Sequence, residues 1–256
     1  LMISAGVPVV PGTEQPLQSY EEALSTAKEI GLPVMIKASA GGGGKGIRII
    51  RELDELKNAY ESAISEATAS FANGIIYMEK LIEQPHHIEF QVLADKHGNA
   101  VHLYERECSI QRKHQKVIEE TPSPYITDKI RHGMGEIAVR AAKAVAYEGA
   151  GTIEFLVDKD MNYYFLEMNT RLQVEHPITE EVLGVDLVKE QINVANGNPL
   201  RFKQEDLSQR GHAIECRICA EDAENGFVPT PGIIKLITEP QGIGVRVDSF
   251  CYEGYE

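Results

Sequence analysis

The sequence is poor in three features, and each scarcity argues against a class of protein. Only 4 of its 256 residues are cysteine, too few for a disulfide scaffold, so we expect a reducing cytoplasm, or a mitochondrion in a eukaryote. No apolar run is long enough to cross a bilayer, so we expect no membrane partner. Acidic residues outnumber basic ones by 39 to 25, a net charge of −14, which argues against nucleic acid as a partner.

Two of the cysteines, Cys216 and Cys219, form a CxxC motif of the kind that can hold zinc or carry redox chemistry. No second CxxC completes a zinc site, and the segment 212–220 has the character of a buried strand. Unpaired cysteine is among the most buried residue types, so we interpret the motif as packing. Residues 1–6 resemble the tail of a helix and 251–256 form no terminal element, so we expect a piece of a longer protein.

Apolar spacing predicts an alternation of helices and hairpins. Helices are predicted after a capping box at Ser19 and Glu22, and over 52–69, 128–147 and 186–196. Strands are predicted at 33–38, 46–50, 75–80, 88–93, 100–104, 151–157 and 162–168. A strand-rich region begins near residue 212, and no internal repeat is evident. This alternation predicts an α+β fold rather than a doubly wound parallel sheet.

A run of glycines, 41–44, continues through Lys45 to Gly46 between two predicted strands. A dinucleotide-binding fingerprint opens a helix and a Walker loop has Ser or Thr after its lysine, and neither holds here. The remaining interpretation is a hairpin whose backbone N–H groups cover a triphosphate, with Lys37 and Lys45 supplying charge. A flexible surface hairpin is the alternative, although consecutive glycines cost more backbone entropy than a turn requires.

Two glutamates face each other if the hairpin over 151–168 closes over an even number of residues. With a loop at 160–161 or 159–162, Glu154 lies opposite Glu167 on one face of the sheet. Like charges across a ladder are destabilising, and magnesium would compensate, since it binds one or two carboxylates together with water and phosphate. A loop of odd length would shift the register and abolish the pair.

The stretch after this hairpin is the most polar in the chain. At every second position after Glu167 stands a polar residue: Asn169, Arg171, Gln173 and Glu175. In an extended chain these side chains line one face, where Arg171 suits an oxyanion such as bicarbonate and Glu175 would act as a general base. A solvated edge strand is the alternative. The basic cluster at 106–116 is either a solvated face or the positive field that receives a polyphosphate.

Together these stretches resemble the biotin carboxylase family of ATP-grasp enzymes. The matching segments follow the family's order: 37–46, 79–81, 105–116, 167–176 and 212–217. The stretch 167–176 is the most specific, because other ATP-grasp ligases share its Glu-x-Asn but not the Arg-x-Gln-Val-Glu-His that follows. The resemblance implies an ATP-grasp fold with a glycine-rich lid subdomain at 1–81, a central subdomain at 82–205 and the start of a biotin carboxylase C-terminal domain at 206–256.

The resemblance also implies roles for the matched residues. ATP would be bound by Lys37, Gly42, Gly43, Gly44, Lys45, Gly46, Glu79, Lys80, Leu81, His87, Gln111, His114 and Leu156. Magnesium or manganese would be bound by Glu154, Glu167 and Asn169, and bicarbonate by Arg171, Gln173 and the Val174 backbone. The implied catalytic residues are Glu175, which deprotonates bicarbonate, Lys116 and Arg171 beside the reacting anions, and Arg217, which stabilises the biotin enolate.

The implied reaction is the ATP-dependent carboxylation of biotin through carboxyphosphate, the work of a ligase. The implied partners are a second copy in a homodimer, a biotin carboxyl carrier domain or protein, and a carboxyltransferase subunit. Cys219 and Ala223 stand where the family has asparagine and proline, which we interpret as packing variation. The segment 118–122 favours an acyl-CoA carboxylase as the parent. Two alternatives remain open: a different ATP-grasp ligase, and a nucleotide-binding fragment without turnover.

Overall fold

The structure is a computed structural model that describes three ranges of the chain: 1–39, 46–71 and 73–256, with Phe71 described by its backbone alone. The predicted nucleotide contacts Gly42, Gly43, Gly44 and Lys45 therefore lie outside the described residues. Among the described helices, none combines the length and apolar character needed to span a membrane.

The chain divides into a larger compact unit, Leu1–Glu215, and a smaller one, Cys216–Glu256. The helices are α1 Tyr20–Ile30, α2 Leu56–Phe71, α3 Asp128–Ala144, α4 His176–Leu183 and α5 Leu187–Ala195. The strands are β1 Val34–Ala38, β2 Ile47–Ile50, β3 Ile76–Lys80, β4 His86–Ala94, β5 Ala100–Arg112, β6 Gln115–Thr121, β7 Gly149–Val157, β8 Tyr163–Asn169, β9 Ala213–Cys216, β10 Glu221–Asp222 and β11 Val228–Pro229. The domain boundaries 1–81, 82–205 and 206–256 remain predictions.

A three-stranded antiparallel sheet of order β2-β1-β3 packs against α1 and α2. Ser19 caps α1 as predicted, since its Oγ accepts from the Glu22 N–H (3.1 Å), but the Glu22 carboxylate accepts from Gln18 instead of Ser19. Helix α2 begins at Leu56, three residues after the exposed Leu53. The residues before Leu56 form a turn instead of a helix, because the Glu55 carboxylate accepts a hydrogen bond from the Arg51 N–H (2.9 Å). The prediction of a helix from residue 52 is wrong at that end.

A six-stranded sheet of order β8-β7-β4-β5-β6-β9 carries the polar motifs, and α3 packs on one of its faces. Met134 and Ala138 of α3 share a core with Phe90 and Phe155. The predicted end of this helix at 147 is too late, because the chain already turns towards β7 at Ala146, whose φ is 48°. Antiparallel sheets combined with helices confirm the predicted α+β class.

Two hairpins of this sheet have the same turn. The first hairpin (β4–β5) turns through Asp95–Asn99 and the second hairpin (β7–β8) through Asp158–Asn162, both of sequence Asp-Lys-x-x-Asn. In each turn, one oxygen of the aspartate accepts from two backbone N–H groups at 2.9–3.0 Å, and its other oxygen accepts from the asparagine amide. Each outgoing strand also contains Ile-Glu-Phe, which begins seven residues before Asp95 in the first hairpin and five before Asp158 in the second.

Each hairpin also contains one bulge, with the extra residue on the returning strand. The first hairpin pairs Val92 with His102 before the bulge and Phe90 with Glu105 after it. In the second hairpin, Phe155 faces Phe165, and the extra residue Leu166 is skipped before Glu154 meets Glu167. The five-residue turn, being odd, would alone place Leu166 opposite Glu154. The predicted glutamate pair is therefore confirmed, but the predicted even loop is wrong.

The CxxC motif is not buried. Strand β9 is the edge of the six-stranded sheet, and Ile214, 61% exposed, and Cys216 lie on its open side. Cys219 follows the strand and is also exposed. The prediction of a buried strand at 212–220 is wrong because only one face of this edge strand is partly covered, and the side chains on its other face are exposed. The strand-rich region expected after residue 212 contains, among the described residues, only three short strands.

Candidate active site

Four charged side chains lie in one line across the six-stranded sheet. The register places Arg106 of β5 opposite Glu89 of β4, Glu89 opposite Glu154 of β7, and Glu154 opposite Glu167 of β8. We call this line the charged row. Both bulges are needed for it, because an unbroken register in the first hairpin would set Glu89 opposite Glu105. Glu89 was not singled out from the sequence, and Arg106 was noted only as the first residue of the basic cluster 106–116.

Arg106 holds the row together from within the protein. Its side chain is fully buried, and all of its donor groups are used. The acceptors are Glu89 (2.6 Å), Gln91 (2.8 Å), Thr179 (3.0 Å), Gln173 (2.8 Å) and Thr152 (3.3 Å). Burial alone would lower the pKa of Arg106, but the surrounding negative charge, led by the Glu89 carboxylate, outweighs burial and raises the pKa. The basic cluster 106–116 therefore begins with a buried structural cation, not with a solvated face.

Lys116 joins three buried carboxylates. Its ammonium is hydrogen-bonded to Glu89, to Glu154 at 2.7 Å and to Glu175 at 2.9 Å. Burial alone would lower the pKa of Lys116, but the surrounding negative charge, led by Glu89, raises the pKa well above its usual range. Lys116 therefore stays charged at any working pH and brings the predicted base Glu175 next to the predicted metal ligand Glu154.

The buried carboxylates of the row remain ionised. Burial alone would raise the pKa of Glu89, but Arg106 and Lys116 outweigh it and lower the pKa. Burial also opposes ionisation of Glu154, yet His87 and Lys116 lower its pKa to about 2. With Glu175 and Glu167, four carboxylates thus gather around two cations, the buried Arg106 and the half-buried Lys116. This excess of negative charge is the arrangement that a divalent cation balances.

The predicted metal ligands are brought together by an amide. The Nδ2 of Asn169 donates to Glu154 Oε1 at 2.9 Å and lies 3.4 Å from Glu167 Oε1. Glu154 is buried whereas Glu167 is exposed, so the pair is open to solvent on one side. Carboxylate and amide oxygens are the hard ligands that magnesium prefers. The donor set of these three residues therefore fits Mg²⁺ or Mn²⁺.

Three of the predicted nucleotide contacts meet beside the row. His87 faces Leu156 across β4 and β7, and the Gln111 amide lies 3.2 Å from its Nδ1. The Nε2 of His87 lies 3.0 Å from Glu154 Oε2. His114, in contrast, is exposed in the turn between β5 and β6, where its φ is 64°. The structure therefore brings His87, Gln111 and Leu156 together and places His114 at the tip of the next hairpin.

The predicted contacts on the three-stranded sheet are engaged with one another and with helix α1. The Lys37 ammonium is paired with the Glu79 carboxylate. The ammonium of Lys80 donates to the carbonyl oxygens of Gly31 (3.0 Å) and Leu32 (2.8 Å), so this side chain caps the C-terminus of α1. Any contact between Lys80 and ATP would come from its backbone.

Two further predicted contacts, Leu81 and Gly46, are held by backbone hydrogen bonds. The Leu81 N–H donates to Pro33 O at 3.0 Å, which holds the end of β3 against β1. Gly46, with a φ of 76°, accepts from the Ala38 N–H at 3.0 Å and closes the described end of the glycine loop. The two predicted residues thus lie at opposite ends of β1, Gly46 on its β2 side and Leu81 on its β3 side.

The polar run after the second hairpin does not form an extended face. Strand β8 ends at Asn169, and the chain then turns into helix α4. Gln173 (5% exposed) and Glu175 (2%) point into the charged row, whereas Arg171 and Val174 are exposed. The alternating-face prediction is wrong because the turn, rather than strand periodicity, sorts these side chains.

Gln173 and Arg171 contact different members of the site. The Gln173 amide accepts from Arg106 and donates to Glu154 Oε1 at 3.0 Å, with one N–H left over. Arg171 lies 3.4 Å from the Asn169 amide oxygen, at the open side of the metal ligands. Arg217 belongs to the smaller unit. A bicarbonate ion between Arg171 and Gln173 would lie next to Glu175 and Glu154.

Comparisons with known proteins agree with this site. Residues 1–203 match the family model of the carbamoyl-phosphate synthase L chain, ATP binding domain. Residues 215–256 match the biotin carboxylase C-terminal domain, in the same order along the chain. The chain belongs to the biotin carboxylase family. The predicted resemblance is thereby confirmed, and the second match argues against a different ATP-grasp ligase.

Similar proteins carry related names. The chain is 58% identical over its whole length to a pyruvate carboxylase subunit of Methanothermobacter thermautotrophicus, of which it covers 52%. It is 56% identical, over 99% of its length, to biotin carboxylase 1 of Bacillus subtilis, of which it covers 57%. The chain thus spans about half the length of the curated relatives that it matches.

A solved structure supports the fold. It is the biotin carboxylase domain dimer of Hydrogenobacter thermophilus 2-oxoglutarate carboxylase, in complex with MgADP, ADP and bicarbonate. The TM-score is 0.86 at 53% identity, and the match covers 99% of this chain and 56% of that one. The ATP-grasp fold predicted from the sequence is confirmed by this similarity.

Proposed function

We propose that this chain forms the ATP- and bicarbonate-binding site of a biotin carboxylase, which carboxylates biotin on a carrier domain or protein. The observation that carries the proposal is the charged row with Lys116, which sets a general base, a buried cation and a carboxylate–amide metal site within hydrogen-bonding reach of one another. The names of the relatives, and the MgADP and bicarbonate bound in the similar structure, support the same assignment.

In the first step, Glu175 accepts the proton of bicarbonate, whose oxygen attacks the γ-phosphorus of ATP. The new carbon–oxygen–phosphorus bond forms as the bond from the γ-phosphorus to the bridging oxygen breaks, which releases ADP. Arg171 and Gln173 orient the bicarbonate, and Lys116 lies beside the developing charge. When bound by Glu154, Glu167 and Asn169, magnesium neutralises the charge on the transferring phosphoryl group.

In the second step, carboxyphosphate breaks at its carbon–oxygen bond into CO2 and phosphate. The phosphate takes the N1 proton of biotin, and N1 of the resulting enolate attacks CO2 to form carboxybiotin. Arg217 would stabilise the enolate oxygen, because a fixed guanidinium is well placed to hold a developing oxyanion. This two-step route makes the proposed enzyme a ligase that uses one ATP for each biotin.

The nucleotide would lie between the two sheets of the larger unit. Lys37, the glycine loop through Gly46 and the lysine within it would hold the phosphates. Glu79, Lys80 and Leu81 would meet the adenine, with His87, Gln111, His114 and Leu156 around the nucleoside. Support comes from the grouping of His87, Gln111 and Leu156 beside Glu154.

The whole protein would work with further components. We propose a biotin carboxyl carrier, a homodimer and a carboxyltransferase subunit, and the dimer of the similar domain supports the second of these. An acyl-CoA carboxylase and a pyruvate carboxylase remain candidates for the parent, since one of the relatives carries the name of the latter. We propose a cytoplasmic location, or a mitochondrial one in a eukaryote, on the low cysteine content.

The test is ADP release from MgATP and bicarbonate, measured with and without free biotin, on this chain and on the full-length parent. We expect biotin to stimulate turnover in the parent and Glu175→Gln to abolish the stimulation, while Glu136→Gln on the exposed face of α3 leaves it unchanged. Turnover that needs ammonia or an amine instead would establish a different ligase. Nucleotide binding without turnover in both proteins would reduce the assignment to a binding module.

A further inference from the structure

A histidine next to the candidate nucleotide site is held in an aromatic stack. His86, the first residue of β4, lies flat on Tyr125, with ring centroids 3.4 Å apart and planes 7° from parallel. The Tyr125 hydroxyl donates to the carbonyl oxygen of Asp158 at 3.0 Å. Asp158 opens the turn of the second hairpin, so the stack ties the start of β4 to the hairpin that carries Glu154 and Glu167.

A buried carboxylate connects this stack to two serines. Glu107 of β5, whose side chain is 9% exposed, lies 3.2 Å from Nδ1 of His86. It also accepts from the Ser123 hydroxyl at 2.8 Å and from the Ser109 hydroxyl. A buried carboxylate is costly unless it is fully hydrogen-bonded. Three partners on three segments make Glu107 the junction of the arrangement.

The chain of contacts continues to the site through Ser109. Its hydroxyl oxygen accepts from the His87 N–H at 2.8 Å, which fixes the backbone of the residue that touches both Gln111 and Glu154. The route from His86 to Glu154 therefore consists of direct polar contacts, the longest of which is the 3.2 Å between His86 and Glu107.

We propose that His86, Glu107 and Tyr125 form a positioning unit that aligns His87 and the metal-binding hairpin for MgATP. The unit reaches the site by two branches: Glu107–Ser109–His87 ends at Glu154, and Tyr125–Asp158 ends at the turn of the hairpin that carries Glu154 and Glu167. None of the three residues touches the reacting groups, so they act through others. The inference rests on the proposed function for the identity of the nucleotide, but not for the contacts.

The polarity of the unit argues against a purely structural role. The His86 side chain is 37% exposed, so the stack lies at the edge of the core rather than within it. A set of apolar side chains in place of Glu107 and its partners would stabilise the fold without the cost of desolvating a carboxylate. Retaining a carboxylate is expected where hydrogen bonds must orient neighbours, as in the outer shell of a metal site.

The experiment measures binding of MgADP by calorimetry, in the same chain, for His86→Ala, His86→Gln and Tyr125→Phe. We expect about tenfold weaker binding for His86→Ala, the scale on which outer-shell partners act, and a smaller loss for Tyr125→Phe, which keeps the ring. His86→Gln, which can still donate to Glu107, should recover part of the affinity. His97→Ala is the matched control, because His97 lies at the turn of the other hairpin and contacts Gly197.

A thermal unfolding transition is measured for each variant to show that it is folded. If His86→Ala does not fold, Tyr125→Phe is the test instead, because it removes only a hydroxyl. MgADP affinity unchanged in folded His86→Ala, or lowered equally by His97→Ala, would overturn the proposal. In the full-length parent, the KM for MgATP should rise while kcat at saturating MgATP is retained, and the reverse split would also overturn it. If biotin-dependent turnover fails in the wild-type parent, the proposed function fails while the MgADP comparison still decides the positioning unit.

Discussion

The first hairpin sets Glu89 opposite Arg106, whereas the second hairpin, with the same turn and the same one-residue bulge, sets Glu154 opposite Glu167. The two arrangements differ in position as well as in charge. Strands β4 and β5 are central in the sheet, and both Glu89 and Arg106 are fully buried. Strand β8 is an edge, and Glu167 is exposed to solvent.

The difference shows how one structural plan serves two purposes. A buried carboxylate needs a partner within the protein, and Arg106 provides it. At the sheet edge a like-charge pair is tolerated because water screens it, and it retains affinity for a cation that an ion pair would lack. The first hairpin therefore neutralises its own glutamate, Glu89, and the second leaves the pair Glu154 and Glu167 open for a metal.

The largest expected effect comes from breaking the neutralised pair. Arg106→Met leaves Glu89 buried with fewer partners and removes five hydrogen bonds. We expect the free energy of unfolding to fall by about 3–5 kcal/mol, as for other buried ion pairs that lose one member. Urea unfolding measures it, with exposed Arg140→Met on α3 as control, expected within about 0.5 kcal/mol of wild type. A loss below about 1 kcal/mol for Arg106→Met would contradict the role given to this pair.

The two hairpins also differ in the residue that stands three positions after the turn, which is His102 in the first hairpin and Phe165 in the second. Burial, with help from His132, lowers the pKa of His102 to about 4. The unfolded chain binds the proton near pH 6.5 and the folded chain does not, so stability is complete above pH 6.5 and lost as the pH falls towards 4. We expect about 1.4 kcal/mol lost per pH unit in that window.

Urea unfolding at pH 7 and pH 5 checks this dependence. His102→Gln should flatten it, whereas His97→Gln at the exposed turn should retain it. An unchanged slope in His102→Gln would show that another group is responsible.

The role of the like-charge pair is tested by neutralising its exposed member, Glu167. Glu167→Gln should raise the free energy of unfolding of the metal-free chain by about 0.5 kcal/mol, because it relieves repulsion across the ladder. The same change should weaken Mn²⁺ binding in the presence of ADP by at least the roughly tenfold seen for outer-shell partners. Calorimetry measures the affinity, with exposed Glu148→Gln as control. Stronger Mn²⁺ binding by the variant would show that Glu167 is not a ligand of the metal.

The smallest effect concerns the two turns themselves. The fourth turn position is left-handed in both, with Gly98 at φ 87° and Met161 at φ 64°. An added Cβ at Gly98 would meet no atom within 4 Å, so Gly98→Ala tests backbone strain alone. We expect a loss of about 1 kcal/mol in the free energy of unfolding, and a smaller loss for Gly98→Asn, which tolerates this conformation. Equal stability of all three proteins would show that the turn is not strained.

Much of the site was predictable because its residues carry local signals. Glu167, Asn169, Gln173 and Glu175 stand in a dense polar run, Glu154 is an isolated charge in an apolar strand, and the structure brings all five together. Glu89 was missed because its neighbours resemble ordinary sheet residues, and Arg106 was noted only as the first residue of the basic cluster 106–116. The Ile-Glu-Phe that precedes each Asp-Lys-x-x-Asn turn was the available signal for Glu89. Its glutamate lies six residues before Asp95 in the first hairpin and four before Asp158 in the second, and the pairing of β4 with β7 sets Glu89 opposite Glu154.

The sequence by itself determined the elements whose causes are local. Ser19 caps α1, Asp95 and Asp158 close their turns, and apolar spacing predicts α3 and the strands that it covers. Only the tertiary structure decided the register. A five-residue turn alone would set Glu154 opposite Leu166. The bulge skips Leu166, so that Glu167 lies opposite Glu154 instead. Such a bulge forms because packing of Phe155 on the core and contacts with Lys116 and Asn169 must be met at once, and those partners are distant in sequence.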